Sequence, residues 1–345
     1  MERLGNLYRE LLLQPQKWSY YQDELKCFSN SYEALLVSGN DCLRFIEDYL
    51  CKGEKNDLKC LKLLEVLKPI RLQHTISCFL LGILIYHKCS KLRDEVNSLV
   101  CAIRPNNLNE KKEDRFKYMW MLICIFHDIG YSIENKEYLY HNKDVQKDIS
   151  NFFKAKFELS FHRKYSYPKK TIKNYLEYRD YKFNVVDHGI AGGAFLYNSL
   201  CNLRARKNEM NSQFYWGEDL EKDFYVASYT IACHNIFKIS PNTKMVPIYI
   251  FFNLESLIKD GQLFSLEKFP LLFLLCLVDS IEPIKITENP LITNNIKMDI
   301  LDKKIRIDIS EMESLQRFYY LERILGLNSW LTHTSTNNSQ IEVCL

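Results

Sequence analysis

The sequence predicts an all-α fold, a mainly helical bundle, with a small β-hairpin appendage near its C-terminal end. Apolar residues recur at steps of three and four in segments such as 4–12, which is the period of an amphipathic helix. Strict alternation of apolar and polar residues is found at 296–309, on both sides of a turn at 301–304, and predicts a hairpin there. Because no such alternation precedes Pro283, we expect no parallel sheet in the body of the chain.

These patterns divide the chain into three parts. The parts are a helical extension at 1–64, a helical domain that carries the chemistry at 65–285, and a hairpin with a closing helix and a polar tail at 286–345. The tail from Thr332 is polar, and we expect it to fray.

Composition excludes several classes of function. An apolar fraction of 47% and a charged fraction of 26% are ordinary for a soluble globular protein, and a net charge of +3 gives no electrostatic case for nucleic-acid binding. No apolar run is long enough to span a bilayer, and the first residues lack the apolar core of a signal peptide. The twelve cysteines form no Cys-x-x-Cys pair, so free thiols in a reducing cytoplasm are expected.

The chemistry is organised around His127-Asp128, which follows the apolar run 118–126. Burying an ionised carboxylate is costly unless it is paired or bound to a metal. Adjacent imidazole and carboxylate groups offer a neutral nitrogen ligand and an anionic oxygen ligand, which suits a divalent cation. The alternative is an ordinary helix end at which Asp128 and Gly130 make the turn.

Other helices place histidines in similar surroundings. His74 shares the inward face of a helix beginning at Pro69 with Cys78, and Arg71 lies one turn earlier. Asp187 fits the N-terminal position of another helix, with His188 in its first turn. Its glycines at 192 and 193 indicate that another backbone approaches closely.

Two later helices complete the set. His234 faces inward on a helix over 224–237, and Asp279 ends the apolar helix 269–278. Four neutral imidazoles and two carboxylates could hold two octahedral metal ions, with Asp128 as the natural bridge. The six candidate ligands are His74, His127, Asp128, His188, His234 and Asp279.

Two charged segments carry no ligand. Residues 104–115 are expected to be a solvent-exposed connection. The segment 133–180 contains the most basic stretch, with His162, Arg163, Lys164, Lys169 and Lys170. It is either a solvated excursion or a lid whose cations meet an anionic substrate.

The order of these ligands over about 65–285 resembles the HD-domain superfamily of metal-dependent phosphohydrolases. The resemblance implies an all-α bundle in which His74, His127, Asp128 and Asp279 hold one ion, while His188 and His234 hold a second and share Asp128. Many dinuclear relatives have a lysine three residues after the aspartate, where this chain has Tyr131. The ions would be divalent, and Mn, Fe, Mg, Ni and Zn all remain open.

The activity implied by the resemblance is hydrolysis of a nucleotide or related phosphate ester by a metal-activated water, with Asp128 and His127 as catalytic residues. The partner would be a small phosphorylated substrate. An HD-type di-iron oxygenase and a non-catalytic nucleotide-binding module are the alternatives. The expected substrate-binding residues are Arg71, Tyr131, Arg163, Lys164, Lys169 and Lys170. The sequence leaves the oligomeric state open.

Overall fold

The protein is seen here as a computed structural model. It describes residues 1–14, 69–104, 112–132, 134, 143–155, 168–209, 217–236, 246–259, 265–326, 334–336 and 339–345. This part of the chain is mainly helical with one small antiparallel sheet, so the predicted fold class is confirmed. Among the described helices, none is long and apolar enough to cross a membrane.

The elements are numbered in chain order over these residues. The helices are α1 (Leu4–Leu12), α2 (Pro69–Lys88), α3 (Ser90–Ile103), α4 (Lys112–His127), α5 (Lys143–Lys154), α6 (Lys169–Phe183), α7 (His188–Glu209), α8 (Leu220–Cys233), α9 (Val246–Phe251), α10 (Ser256–Lys259), α11 (Pro270–Ile281), α12 (Ile284–Thr287) and α13 (Ser314–Leu325). The strands are β1 (Glu2–Arg3), β2 (Lys297–Ile300), β3 (Lys304–Asp308), β4 (Thr334–Thr336) and β5 (Gln340–Cys344).

The core lies around α11 and the second half of α4, which are apolar on every side. Every residue of α11 is buried, as is most of α4. A helix that is hydrophobic all round belongs at the centre of a large domain, and α2, α7 and α8 pack around this pair. Polar residues on these helices are therefore carried into the interior, which is where the candidate ligands lie.

Two glycines bring α7 close to its neighbours. A Cβ at Gly192 would lie 2.5 Å from the carbonyl oxygen of Phe126 on α4. A Cβ at Gly193 would lie 2.4 Å from the carbonyl oxygen of Ser228 on α8. The close backbone approach predicted from these glycines is confirmed.

The sheet has the order β1-β2-β3-β5-β4, and all of its strand pairs are antiparallel. The predicted hairpin is its β2–β3 pair. The expectation of a frayed tail is wrong, because β5 pairs with β3 along its whole length and buries Ile341 and Val343. Five residues of alternating apolar and polar side chains form a strand here because their backbone can hydrogen-bond to the edge of β3.

The segment 104–115 is buried at both of its ends, contrary to the expectation of a solvent-exposed connection, while 105–111 lie outside the described residues. Arg104 and Arg115 are buried, and both pair with the buried carboxylate of Asp223 on α8. The distances are 2.7 Å from Arg104 Nη2 to Oδ2 and 2.9 Å from Arg115 Nη2 to Oδ1. A buried guanidinium needs such a partner, and here it comes from a helix far away in sequence.

Candidate metal centre

The His127-Asp128 pair stands at the end of α4, where the apolar helix carries both side chains into the interior. Both are buried. His127 Nδ1 lies 2.6 Å from the carbonyl oxygen of Cys124. A carbonyl can only accept, so Nδ1 carries a proton and the lone pair of a neutral ring is on Nε2. Hydrogen bonds of this kind fix the orientation of imidazole ligands in metal sites.

His74 on α2 faces His127 and is held from behind by a carboxylate. Its Nδ1 donates to Glu282, which also accepts from the backbone N–H of Ile284 at 2.9 Å. Its Nε2 lies 3.3 Å from Nε2 of His127 and 3.0 Å from Oδ1 of Asp279. The carboxylate–histidine pair therefore aims the outer nitrogen of His74 at the other candidate ligands.

The close approach of Nε2 of His74, Nε2 of His127 and Oδ1 of Asp279 requires a positive charge among them. Two imidazole lone pairs and a carboxylate oxygen repel one another unless a proton or a metal ion lies between them. Burial alone would lower the pKa of His74, but the carboxylates of Glu282 and Asp279 outweigh it and raise that pKa. The donor set attracts a cation, which is the condition for a metal site.

The ligand atoms fall into two neighbouring groups, and within each group they lie within 4.8 Å of one another. The first group is His74, Cys78, His127 and Asp279, and the second is Asp128, His188 and His234. Either group could hold a metal ion. All six residues predicted as ligands are thus brought together, while their binding of metal stays a prediction. Cys78 is an additional donor, 3.6 Å from His74 Nε2, and its only signal in the sequence is its place one turn after His74.

The aspartate of the pair links the groups. The carboxylate of Asp128 belongs to the second group, yet its oxygens lie 3.5 Å from Nε2 of His127 and 3.8 Å from Nε2 of His74. This position fits the bridging role predicted for Asp128 from the sequence.

The second group is built at the meeting point of α7 and α8. Asp187 caps α7 by accepting from the backbone N–H of Gly189 at 2.9 Å, and it also accepts from the side chain of Asn235 at 2.8 Å. The residue before Asn235 is His234, whose Nδ1 donates to the carbonyl of Ile231 at 2.6 Å. Its Nε2 is thereby left as the acceptor, as in His127.

His188 has an unsatisfied polar atom. Among the described residues its Nδ1 is buried without a hydrogen-bond partner, and a carboxylate oxygen of Glu134 lies 3.7 Å away. Tyr131 stacks on the imidazole with ring centroids 3.8 Å apart. Buried nitrogens are normally satisfied by protein, water or an ion. The buried Nδ1 of His188, within a group of candidate ligands, would be satisfied by a metal ion or by the water bound to it.

Basic side chains surround the two carboxylates. Arg71 Nη1 donates to Asp128 at 2.8 Å, and Lys285 Nζ donates to Asp128 at 3.3 Å and to Asp279 at 3.1 Å. Burial alone would raise the pKa of Asp128, but the charge of Lys285 outweighs burial and holds that pKa well below its ordinary value. Lys285 lies two residues after Pro283, where no periodic pattern is present, so its position at the centre could not be predicted from the sequence.

The expected substrate-binding residues have different surroundings. Arg71 also lies over the ring of Tyr131, with its Cζ 4.0 Å from the centroid, so both residues border the centre. Lys169 donates to the carbonyl of Ala155 at 2.7 Å, and Lys170 is exposed. Arg163 and Lys164 lie outside the described residues, as does His162. A role for the basic segment in substrate binding stays a prediction.

Comparison with protein-family models, curated proteins and solved structures finds no match to this chain.

Proposed function

We propose that the protein is an HD-type metal-dependent phosphohydrolase that acts on a nucleotide or a related phosphate ester. The observation that carries this proposal is the pair of adjacent buried donor groups with the Asp128 carboxylate between them. Oxygen and imidazole donors in this arrangement suit two divalent ions. Bound there, the ions would activate a water and neutralise the leaving oxygen of an ester.

The side chains of the chain itself would orient and neutralise the substrate. Arg71 and Lys285 reach the centre from its more exposed side, with side chains 27% and 17% exposed, whereas that of Asp128 is 1% exposed. An entering phosphate would therefore meet these cations first. His127 and Asp128, which are buried, would act from the interior.

A di-iron oxygenase remains the second candidate, because Tyr131 takes the place of the lysine expected in hydrolases of this type. Lys285 weighs against it. Its ammonium group lies 5.7 Å from the centroid of the Tyr131 ring, so a cation is present near this position although it comes from another part of the chain.

The test is metal analysis of protein purified without chelator, followed by a hydrolysis screen of nucleotides and cyclic nucleotides with manganese. His74→Ala should lose bound metal and activity, whereas His87→Ala, a change on the same helix outside both donor groups, should keep them. Iron content with a mixed-valent electron-spin signal and no ester hydrolysis would favour the oxygenase. Absence of bound metal and of turnover with any divalent ion would contradict both candidates.

A further inference from the structure

The last described helix, α13, carries apolar side chains on its solvent side. Leu315, Phe318 and Tyr319 are 65%, 56% and 53% exposed, and their spacing of three and four residues places them in one stripe along the helix. The rings of Phe318 and Tyr319 contact each other edge to face, with centroids 5.7 Å apart. Single exposed apolar residues are common, whereas a contiguous exposed stripe is typical of a surface that binds another molecule.

The opposite face of α13 is attached to the body of the protein. Tyr320 is buried and donates its hydroxyl to the carbonyl of Ile281 at the end of α11. Arg323 donates to the backbone carbonyl of Asp279, in the last turn of the same helix, and Ile324 is fully buried. The stripe is therefore presented by a helix whose position is already fixed, so a partner would not have to order it on binding.

Carboxylates lie at both ends of the stripe. Glu313 immediately precedes α13, Glu322 lies near the end of the helix on the same face as the stripe, and both are exposed. Arg317 does not offset them at the surface, because its guanidinium group turns back to the carbonyls of Ser310 at 3.1 Å and Met312 at 2.9 Å. The stripe is thus apolar in its middle and negatively charged at its ends.

These charges decide which kind of partner fits the stripe. Two copies of α13 packed against each other would bring Glu322 near Glu313 if antiparallel, or like residues opposite each other if parallel, and like charges in contact disfavour both arrangements. The next acidic residue, Glu311, is already paired with Arg3 and Lys297 and adds no net charge here. A helix with an apolar face and flanking lysines or arginines would instead cover the stripe and neutralise both of its ends.

We propose that the stripe of Leu315, Phe318 and Tyr319 is a docking surface for a basic amphipathic helix of a partner protein. The apolar face of such a helix would cover the two aromatic rings, and aromatic side chains are enriched at the centres of protein interfaces. Its lysines or arginines would pair with Glu313 and Glu322 at the rim. The inference needs neither a bound metal ion nor turnover, so it is independent of the proposed function.

The experiment is a fluorescence anisotropy titration of a labelled synthetic peptide with the full chain. The peptide consists of leucine and lysine in a helical pattern that places the leucines on one face, and a second peptide replaces every lysine with glutamate. The leucine–lysine peptide should bind at least about tenfold more tightly than the leucine–glutamate peptide, and Phe318→Ser should weaken it by about tenfold or more. Phe251→Ser is the matched control, because this phenylalanine of α9 is 72% exposed on another surface and its loss should leave the affinity unchanged.

Glu322→Lys separates the contribution of charge from that of apolar contact. It should weaken binding of the leucine–lysine peptide and strengthen binding of the leucine–glutamate peptide, whereas Glu177→Lys, at an exposed position of α6, should change neither. Equal affinity of Phe318→Ser and the unchanged protein for the leucine–lysine peptide would overturn the docking surface. A dimer of the unchanged protein in light scattering that Phe318→Ser converts to a monomer would assign the stripe to a second copy, and it would overturn the proposal as well.

Discussion

Gly130 lies against the backbone of His188 so closely that a Cβ at position 130 would be 1.9 Å from the carbonyl oxygen of His188. The glycine follows His127-Asp128 by two residues, and His188 begins α7. The distance between the two donor groups is therefore set by backbone packing. Any side chain at 130 would push the start of α7 away from the end of α4.

Gly130→Ala should consequently disturb the second donor group more than the first. We expect loss of metal binding at the group of Asp128, His188 and His234, with metal binding at the first group retained. The measurement is metal stoichiometry by mass spectrometry of the purified protein. Gly326→Ala is the matched control, since a Cβ there would meet nothing within 4 Å. Full stoichiometry in Gly130→Ala would show that α7 can shift without harm.

Glu282→Gln should weaken metal binding without removing a ligand. Glu282 accepts from His74 and from the backbone of Ile284, and an amide would supply less negative charge behind the imidazole. Losses of about 10- to 100-fold in affinity are typical for such partners of a ligand. Competition with a chromogenic chelator measures the effect. Glu311→Gln changes a carboxylate in the surface pairs with Arg3 and Lys297, and it should leave the affinity unchanged.

Cys78→Ser should change which metal the first group prefers. A thiolate favours zinc and iron over magnesium and manganese, and a hydroxyl does not. We expect zinc affinity to fall by about tenfold or more relative to manganese affinity, together with loss of sulfur-to-metal absorption in the cobalt-substituted protein. Cys89→Ser is the control, because this buried thiol donates to the carbonyl of Leu301 instead. An unchanged cobalt spectrum would exclude Cys78 as a ligand.

Asp223→Asn should lower the unfolding free energy, although Asp223 lies far from the candidate metal centre. The carboxylate of Asp223 pairs with two buried guanidinium groups, on Arg104 and Arg115. Removing one partner of a buried ion pair costs about 3–5 kcal/mol of unfolding free energy. Urea unfolding measures it. Asp219→Asn removes the charge of a side chain that is 30% exposed, and it should lower the unfolding free energy by less than about 1 kcal/mol. Equal losses of unfolding free energy in the two variants would mean that the buried pairs of Asp223 contribute no more than the partly exposed pair of Asp219.

Stability should fall in alkaline solution because of buried thiols. Burial raises the pKa of Cys89 to about 12 and that of Cys201 to about 12. In the unfolded chain thiols ionise near about pH 8.5, so above that pH the folded state binds more protons than the unfolded state. The unfolding free energy should therefore decrease as the pH rises from about 9 to 11. Urea midpoints at fixed ionic strength test this, and a constant midpoint would contradict it.

The helices and the hairpin could be predicted because apolar residues recur in them with a regular period over a long enough segment. The other strands could not. Glu2–Arg3 has two residues, and Gln340–Cys344 has five within a polar tail. Such short segments become strands only when a partner edge is available, and that edge is created by the tertiary fold.

The candidate ligands were visible in sequence because ionisable residues are rare on helices that are otherwise apolar. Glu282 and Lys285 were not, although they contact His74 and Asp279. Both lie beside Pro283, where the chain turns, and no periodicity assigns a direction to side chains in a turn. The burial of Arg104 was missed for a related reason, because a charged residue at a helix end normally faces solvent.

The pairing of β1 with β2 has a consequence for synthesis on the ribosome. Glu2 and Arg3 pair with Met298 and Lys297, which are translated much later. Strand β1 therefore stays unpaired until β2 has emerged from the ribosome. Contacts of such long sequence separation close late and slowly. Early truncation products would lack the sheet, and with it the helix that brings Arg323 to Asp279, so we expect them to be degraded or held by chaperones.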